Sequence, residues 1–270
     1  MSNKMMGRLF FKFRRRFQFF FWPAAALGER ASLWKSGDLI NPADRNSRFP
    51  LRMMRYWWSA CVLEDEARRL GRPITVVDVG CGKGILRKYA GNLVQARWIG
   101  LDMKVDRARL TEAGYDELYT GDFDQPLPLA DASADVVVFL HVLEHVSRPT
   151  FMLGELSRIL RPGGVLLAGS PVAPRCFAQW RERWFRRELR QGKRRPGNHI
   201  HCFWPARWLE MVRNEGLSVE MLTGAYLLRW AGNPLENTRW WLRLNQLWGA
   251  LFPSLGGEMY LMARSSPLGK

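Results

Sequence analysis

Residues 74–84 leave this chain little choice of fold. Ile74-Thr75-Val76-Val77-Asp78-Val79 is an apolar, largely β-branched run that hands over directly to Gly80-Cys81-Gly82-Lys83-Gly84. A run without polar alternation reads as a strand covered on both faces, the habit of a parallel sheet. Glycines at the turn let the backbone approach a ligand, and the start of the following helix, expected over Ile85 to Leu93, presents N–H groups without intrahelical partners.

The same strand–turn–helix rhythm repeats downstream. Arg97–Leu101 and Glu117–Thr120 read as short strands separated by a helix around Val105–Ala113. Ala134–Leu140 (ADVVVFL) is another strand buried on both faces. A helix over Thr150–Leu160 is closed by Arg161-Pro162-Gly163-Gly164, and Val165–Ala168 is a fifth strand. Such alternation builds a parallel sheet with helices on both faces. After Pro171 the rhythm breaks into a basic aromatic helix from residue 175, a helix over Pro205–Asn214, a strand over Leu217–Tyr226, a Trp-rich helix over Glu236–Phe252 and a last strand over Gly257–Arg264. The final two strands are expected to form a hairpin interrupted by the Trp-rich helix.

Acidic residues stand at the ends of the second and third strands. Asp102 is placed to grip both hydroxyls of a ribose. Asp122 in Gly121-Asp122-Phe123-Asp124 is placed to meet an adenine amino group, with the Phe123 ring over the base. A dinucleotide fold wants a third glycine where Ile85 stands, and a phosphate-binding GxxxxGK[ST] loop is absent.

Together VVDVGCGKG at 76–84, GLDM at 100–103, GDF at 121–123, ADVVVFLHVLEHV at 134–146 and RILRPGGVLLAGSP at 158–171 resemble the class I S-adenosylmethionine-dependent methyltransferases of the small-molecule type. The resemblance implies a Rossmann-like α/β fold: a seven-stranded, mostly parallel sheet with helices on both faces and the last strand antiparallel. It implies S-adenosyl-L-methionine as cofactor. The turn of Asp78, Gly80, Cys81, Gly82 and Gly84 would hold its methionine part, Asp102 and Met103 the ribose side, Asp122 and Phe123 the adenine, and His141 the pocket wall.

His141-Val142-Leu143-Glu144-His145 follows the fourth strand, where ligands of open α/β sheets sit. Transfer to a hydroxyl needs a base, and helical spacing would bring His141, Glu144 and His145 together as candidate catalytic groups. The stretch is similar to the ExxEH element of the ubiquinone-type O-methyltransferases, which is associated with a divalent metal. His141 replaces the first carboxylate here, and no metal is assigned. A second stretch, Asn198-His199-Ile200-His201-Cys202-Phe203-Trp204-Pro205, resembles a turn that lies over the active site in many small-molecule methyltransferases, making His199 and His201 candidate acceptor contacts.

Charge separates the centre of the chain from its flanks. The net charge of +16 comes from 41 Lys+Arg against 25 Asp+Glu, yet residues 61–174 are slightly acidic and contain Trp98 as their one tryptophan. The cations concentrate in residues 1–60 and 175–213, among Trp and Phe. On a helical wheel over residues 4–21, Lys4, Arg8, Lys12, Arg15 and Arg16 fall opposite Met6, Leu9, Phe10, Phe13, Phe17, Phe20 and Phe21, while Phe11, Phe19 and Arg14 break the pattern. That is the pattern of a helix lying in an anionic membrane surface. Phe177–Arg195 repeats the mixture. In Trp240–Phe252 the side chains Trp240, Trp241, Leu244, Leu247, Trp248 and Leu251 form an apolar stripe opposite Arg239, Arg243 and Gln246.

The division expected is therefore a basic extension over 1–47 and a methyltransferase domain over 48–270. That domain carries a basic aromatic insertion at 175–203 and a Trp-rich helical one at 229–254. Four scattered cysteines form no disulfide or zinc pattern. Arg14-Arg15-Arg16-Phe17 faintly resembles an export signal, but the apolar run after it is short, and the cofactor is made in the cytosol. The expectation is a cytoplasmic enzyme, peripheral at the inner face of the membrane, that O-methylates a small, lipid-linked or glycan acceptor. An RNA methyltransferase and a non-catalytic methyltransferase-like binding subunit are the alternatives. The base-modifying motif [ND]PP[YF] is absent after the fourth strand, which weighs against nucleic acid.

Overall fold

The computed structural model describes residues 53–91, 95–193, 198–227, 235 and 238–266. The basic extension over 1–47, with the amphipathic helix expected in it, lies outside the described residues, as does much of the 229–254 insertion before residue 238.

Seven strands form one sheet: β1 Ile74–Val79, β2 Ala96–Asp102, β3 Glu117–Thr120, β4 Ala134–Leu140, β5 Leu160–Pro171, β6 Ser218–Ala225 and β7 Glu258–Arg264. Their order is β3-β2-β1-β4-β5-β7-β6. The pairs β1–β2, β1–β4, β2–β3 and β4–β5 are parallel, and β7 runs antiparallel to both β5 and β6. The seven-stranded mixed sheet is thus as the sequence implies.

Period-two side-chain placement divides the core into two layers. Val76, Val136, Val138, Val165 and Leu167 point to the side covered by α1 (Met53–Leu70), α2 (Ile85–Ala90), α3 (Arg107–Glu112) and α7 (Arg239–Leu251). Val77, Val137, Phe139, Leu166 and Ala168 point to the side covered by α4 (Pro149–Ile159) and α6 (Pro205–Asn214). Helix α5 (Arg175–Arg190) stands apart, on a small cluster of Ala178, Phe185 and Cys202.

Several local expectations are corrected. Helix α1 is not evident from punctuation, yet Met54, Trp58, Val62 and Leu63 bury one of its faces on the sheet. Arg161-Pro162-Gly163-Gly164 lies inside β5, where a register irregularity against β4 absorbs the proline and glycines. Helix α2 stops at Ala90, before Gly91 at φ 53°. The HVLEH stretch is a single 3₁₀ turn, Leu143–His145, not a longer helix.

The apolar stripe expected for α7 is also rotated. Gln246 and Asn245 are buried, whereas Trp240 and Leu251 are exposed. Gly249 decides this, since a Cβ there would stand 1.7 Å from the Gly224 carbonyl oxygen, so the helix backbone lies directly on β6. The Asn245 amide closes the contact by accepting from the Leu227 N–H at 3.0 Å and donating to the Trp241 carbonyl at 2.9 Å.

Candidate active site

The glycine turn leaves β1 and meets the ends of β2 and β4. Gly80 has φ 79°, and a Cβ on it would lie 2.2 Å from Val142 Cγ2, so this glycine serves the close packing of two loops. Gly82, at φ 53°, would carry a Cβ into open space; its nearest neighbour is the Gly80 carbonyl oxygen at 4.0 Å. The backbone there is bare on the side where a Cβ would stand. Its N–H donates to Asp102 Oδ2 at 2.8 Å, which fixes the carboxylate at the end of β2 beside the turn. Met103, 56% exposed, stands next to it.

The other residues expected at the cofactor divide by burial. Asp78 is buried and accepts a hydrogen bond from the Tyr115 hydroxyl. Burial raises its carboxyl, Tyr115 opposes, and the charge of Asp102 adds, leaving it at about 7. Its side chain supports the turn from behind. Cys81 is buried as well, and burial pushes its thiol up, so only its backbone is available. Gly84, at φ 72°, hands the turn over to α2 against Ala113 and Leu110. Asp122 is exposed after β3 and accepts from the Asp124 N–H at 2.9 Å. The Phe123 ring is buried in the core layer with Leu127 and Val142. An open glycine backbone beside a fixed carboxylate suits the methionine and ribose parts of S-adenosylmethionine, and Asp122 stands where the adenine would follow.

Beyond β4, His141 and His145 point in different directions. His141, with φ 57°, has Nδ1 3.4 Å from Glu144 Oε1 and Nε2 3.3 Å from Glu258 Oε2. Both carboxylates are buried, and Glu258 also accepts from the Tyr260 hydroxyl. Burial works against charge on His141, but Glu258 and Glu144 outweigh it against the opposing Arg55, and its pKa is raised. Glu144 is held below the usual carboxylate range because His141, with His145, overcomes the cost of burial. His145 turns away and packs edge-on against His199, ring centroids 4.7 Å apart. Burial lowers the pKa of His199, with the charge of Glu144 opposing and those of His145, His141 and Arg181 adding.

The loop carrying His199 is tied down by backbone. The Ile200 and His201 N–H groups both donate to the Glu144 carbonyl, at 2.8 and 3.2 Å. His201 Nδ1 lies 3.1 Å from Glu182 Oε1 of α5. That buried carboxylate also accepts from Arg207 at 2.8 Å and Arg186 at 3.2 Å. Glu182 and Glu258 are the residues that sequence reasoning missed. Neither sits in a motif, and each is defined only by partners far along the chain.

His199 and His201 line a cavity of about 380 Å³ with Val172, Phe177, Arg181 and Leu255. It lies beyond the carboxyl end of β5, and its walls combine apolar side chains with the polar groups of Arg181, His199 and His201. Glu144, His145 and His199 each offer a ligand atom within 4.8 Å of the others, and His145 Nδ1 has no hydrogen-bond partner among the described residues. One carboxylate and two imidazoles suit a transition-metal ion better than Mg²⁺.

Comparison with known proteins agrees with this geometry. The family described as "Methyltransferase domain" matches residues 77–168. The chain is 31% identical over 173 residues to the ubiquinone biosynthesis O-methyltransferase of Xanthomonas axonopodis pv. citri, covering 61% of this chain and 71% of that protein. Over 113 residues it is 30% identical to the malonyl-[acyl-carrier protein] O-methyltransferase of Hahella chejuensis, 40% of each chain. It spans between 30% and 40% of the length of three such curated relatives. The crystal structure of an S-adenosylmethionine-dependent methyltransferase from Mesorhizobium loti superimposes with a TM-score of 0.55 at 18% identity, over 79% of this chain and 99% of that one. From its glycine turn and fixed Asp102 to its sheet order, the chain belongs to the class I S-adenosylmethionine-dependent methyltransferases.

Proposed function

We propose that this protein transfers the methyl group of S-adenosylmethionine to a hydroxyl of a small, lipid-linked or glycan acceptor, as a cytoplasmic enzyme held at the inner face of a membrane. The observation that carries the reading is the cavity walled by Val172, Phe177, His199 and Arg181 beside the cluster at the end of β4. The bound cofactor supplies an electrophilic methyl on a sulfonium. The residues around the cavity would hold the acceptor oxygen in line with that methyl carbon, so that the new carbon–oxygen bond could form as the carbon–sulfur bond breaks, and would take up the hydroxyl proton.

An imidazole must be neutral to accept a proton. Two carboxylates favour the protonated form of His141, so its part is to hold charge between Glu144 and Glu258 at the end of β4. His199 lines the cavity, is packed edge-on against His145, and has a lowered pKa, so it is the group assigned to take the proton. Glu144 orients the loop through its carbonyl and His141 through its carboxylate. A metal ion bound by Glu144, His145 and His199 would act instead by acidifying the acceptor hydroxyl.

The test uses the full chain with methyl-labelled cofactor and the lipid, glycan and RNA fractions of its host. Label is expected in the lipid or glycan fraction and lost on His199→Ala. Asp102→Ala is expected to weaken cofactor binding in calorimetry by at least about tenfold, or ~1.4 kcal/mol. Label appearing only in RNA would overturn the acceptor reading. A chain that binds no cofactor, and is indifferent to Asp102→Ala, would be a binding subunit.

A further inference from the structure

Helix α5 is fastened to the protein by one face. Ala178, Glu182 and Phe185 are buried, and the Glu182 carboxylate is held by His201 and Arg207. The opposite face carries Phe177, Trp180 and Trp184, which are 45%, 61% and 46% exposed. Their spacing, three and four residues, puts the rings in one stripe along the helix. Exposed Arg183, Arg187 and Arg190 flank it. The helix holds six arginines against Glu182 and Glu188, and Glu182 is already internally paired. Large rings left in water at this density mark a surface that another phase covers.

The stripe continues into the cavity. Phe177 and Arg181 belong both to α5 and to the cavity wall, the guanidinium lying 5.7 Å over the Phe177 ring and 5.2 Å over that of Phe185. On the cavity's other wall Leu255 is 66% exposed. Apolar side chains that are at once wall and open surface make a path from the helix surface into the cavity.

From this arrangement the geometry points to α5 as the docking face for an anionic lipid bilayer, set so that a membrane-anchored acceptor enters between Phe177 and Leu255. The inference rests on the reading of the cavity as the acceptor site, and adds which surface meets the membrane. Tryptophan rings seat at the depth of the headgroups, and arginines beside them meet lipid phosphates. The continuity of the ring stripe with the exposed Phe177 and Leu255 at the cavity mouth favours lipid over RNA, whose bases would need no such path.

Cys176 provides an internal probe. It is exposed on α5, whereas burial raises the thiols of Cys61, Cys81 and Cys202 and makes them slow to label. The full chain, labelled at Cys176 with an environment-sensitive fluorophore, is mixed with phosphatidylcholine vesicles with and without phosphatidylglycerol. The expected result is a blue-shifted rise in emission only with phosphatidylglycerol, quenched by lipids brominated on the acyl chain. Trp180→Ser with Trp184→Ser should abolish the signal and weaken vesicle binding roughly tenfold while cofactor affinity holds. If that pair fails to fold, Arg183→Ser with Arg187→Ser decides by removing the phosphatidylglycerol dependence. Vesicle binding with a silent Cys176 probe overturns the α5 assignment and leaves a membrane-held enzyme standing. A chain that methylates lipid in detergent yet binds no vesicle overturns it too, leaving the acceptor class intact. RNA that binds tightly, and loses affinity in the tryptophan variant, overturns it in favour of nucleic acid.

Discussion

Gly80 and Gly82 sit two residues apart in one turn, and the structure gives them different duties. Both have positive φ, so an alanine at either pays the left-handed penalty. At Gly80 the new methyl also collides with Val142, and the variant is expected to lose about 2–4 kcal/mol of stability in urea denaturation. At Gly82 the methyl meets open space, so Gly82→Ala should cost only about 1 kcal/mol while weakening cofactor binding severely in calorimetry. The reverse pattern would mean that the cofactor approaches Gly80. The sequence marks all the glycines of the turn alike, because spacing cannot tell a glycine needed for packing from one needed for approach. Asp78 teaches the same lesson: its position in the motif suggests contact, and Tyr115 claims its carboxylate.

At the scale of elements, the appended helix depends on one buried acid. Glu182 joins α5 to His201 in the loop and to Arg207 of α6. Its pKa is lowered: burial opposes, but His201, Arg207 and Arg186 prevail. A depressed carboxyl stabilises above its ordinary value and loses that contribution as pH falls through its folded value. Helix α5 is therefore expected to loosen as pH falls below the ordinary carboxylate range, seen as faster amide exchange in Arg175–Arg190. Glu182→Gln should reproduce this near neutral pH, costing about 1–3 kcal/mol locally. Equal exchange in both proteins would show that α5 is held by Ala178 and Phe185 alone. The basic aromatic character of this helix is plain in the sequence. Which face turns inward is not, since it follows from the loop and helix that meet Glu182. Helix α7 makes the point more sharply, because Gly249 and not the tryptophans sets its buried side.

Across the whole molecule, buried acids tie distant parts of the chain. Asp135 in β4 accepts from Arg72 at 2.7 and 3.0 Å, from Arg161 at 2.7 Å and from the Thr75 N–H at 2.8 Å. These partners overcome the cost of burial and lower its pKa to about 2. Glu66 of α1 is paired by Arg264 at the end of β7 and by Arg69, and is likewise depressed. Both contributions are complete above the usual carboxylate range and vanish below the folded values. Stability in urea should thus fall between about pH 4 and pH 2 as Asp135 takes up its proton. Asp135→Asn is expected to flatten that fall and to cost about 1–3 kcal/mol at neutral pH, the partly exposed arginines limiting the loss. An unchanged slope would assign acid unfolding to other groups, Glu66 foremost.

The sequence by itself determined the sheet, its strand sequence up to β5 and the ligand turn, because strand burial and glycine punctuation are local and periodic signals. It also marked His141, Glu144, His145, His199 and His201 as a group worth watching. Only the tertiary structure decided how they divide: His141 between Glu144 and Glu258, His145 against His199, His201 held by Glu182. Those pairings join residues from separate loops and strands, and no spacing along a chain encodes which side chains meet when a sheet closes over them.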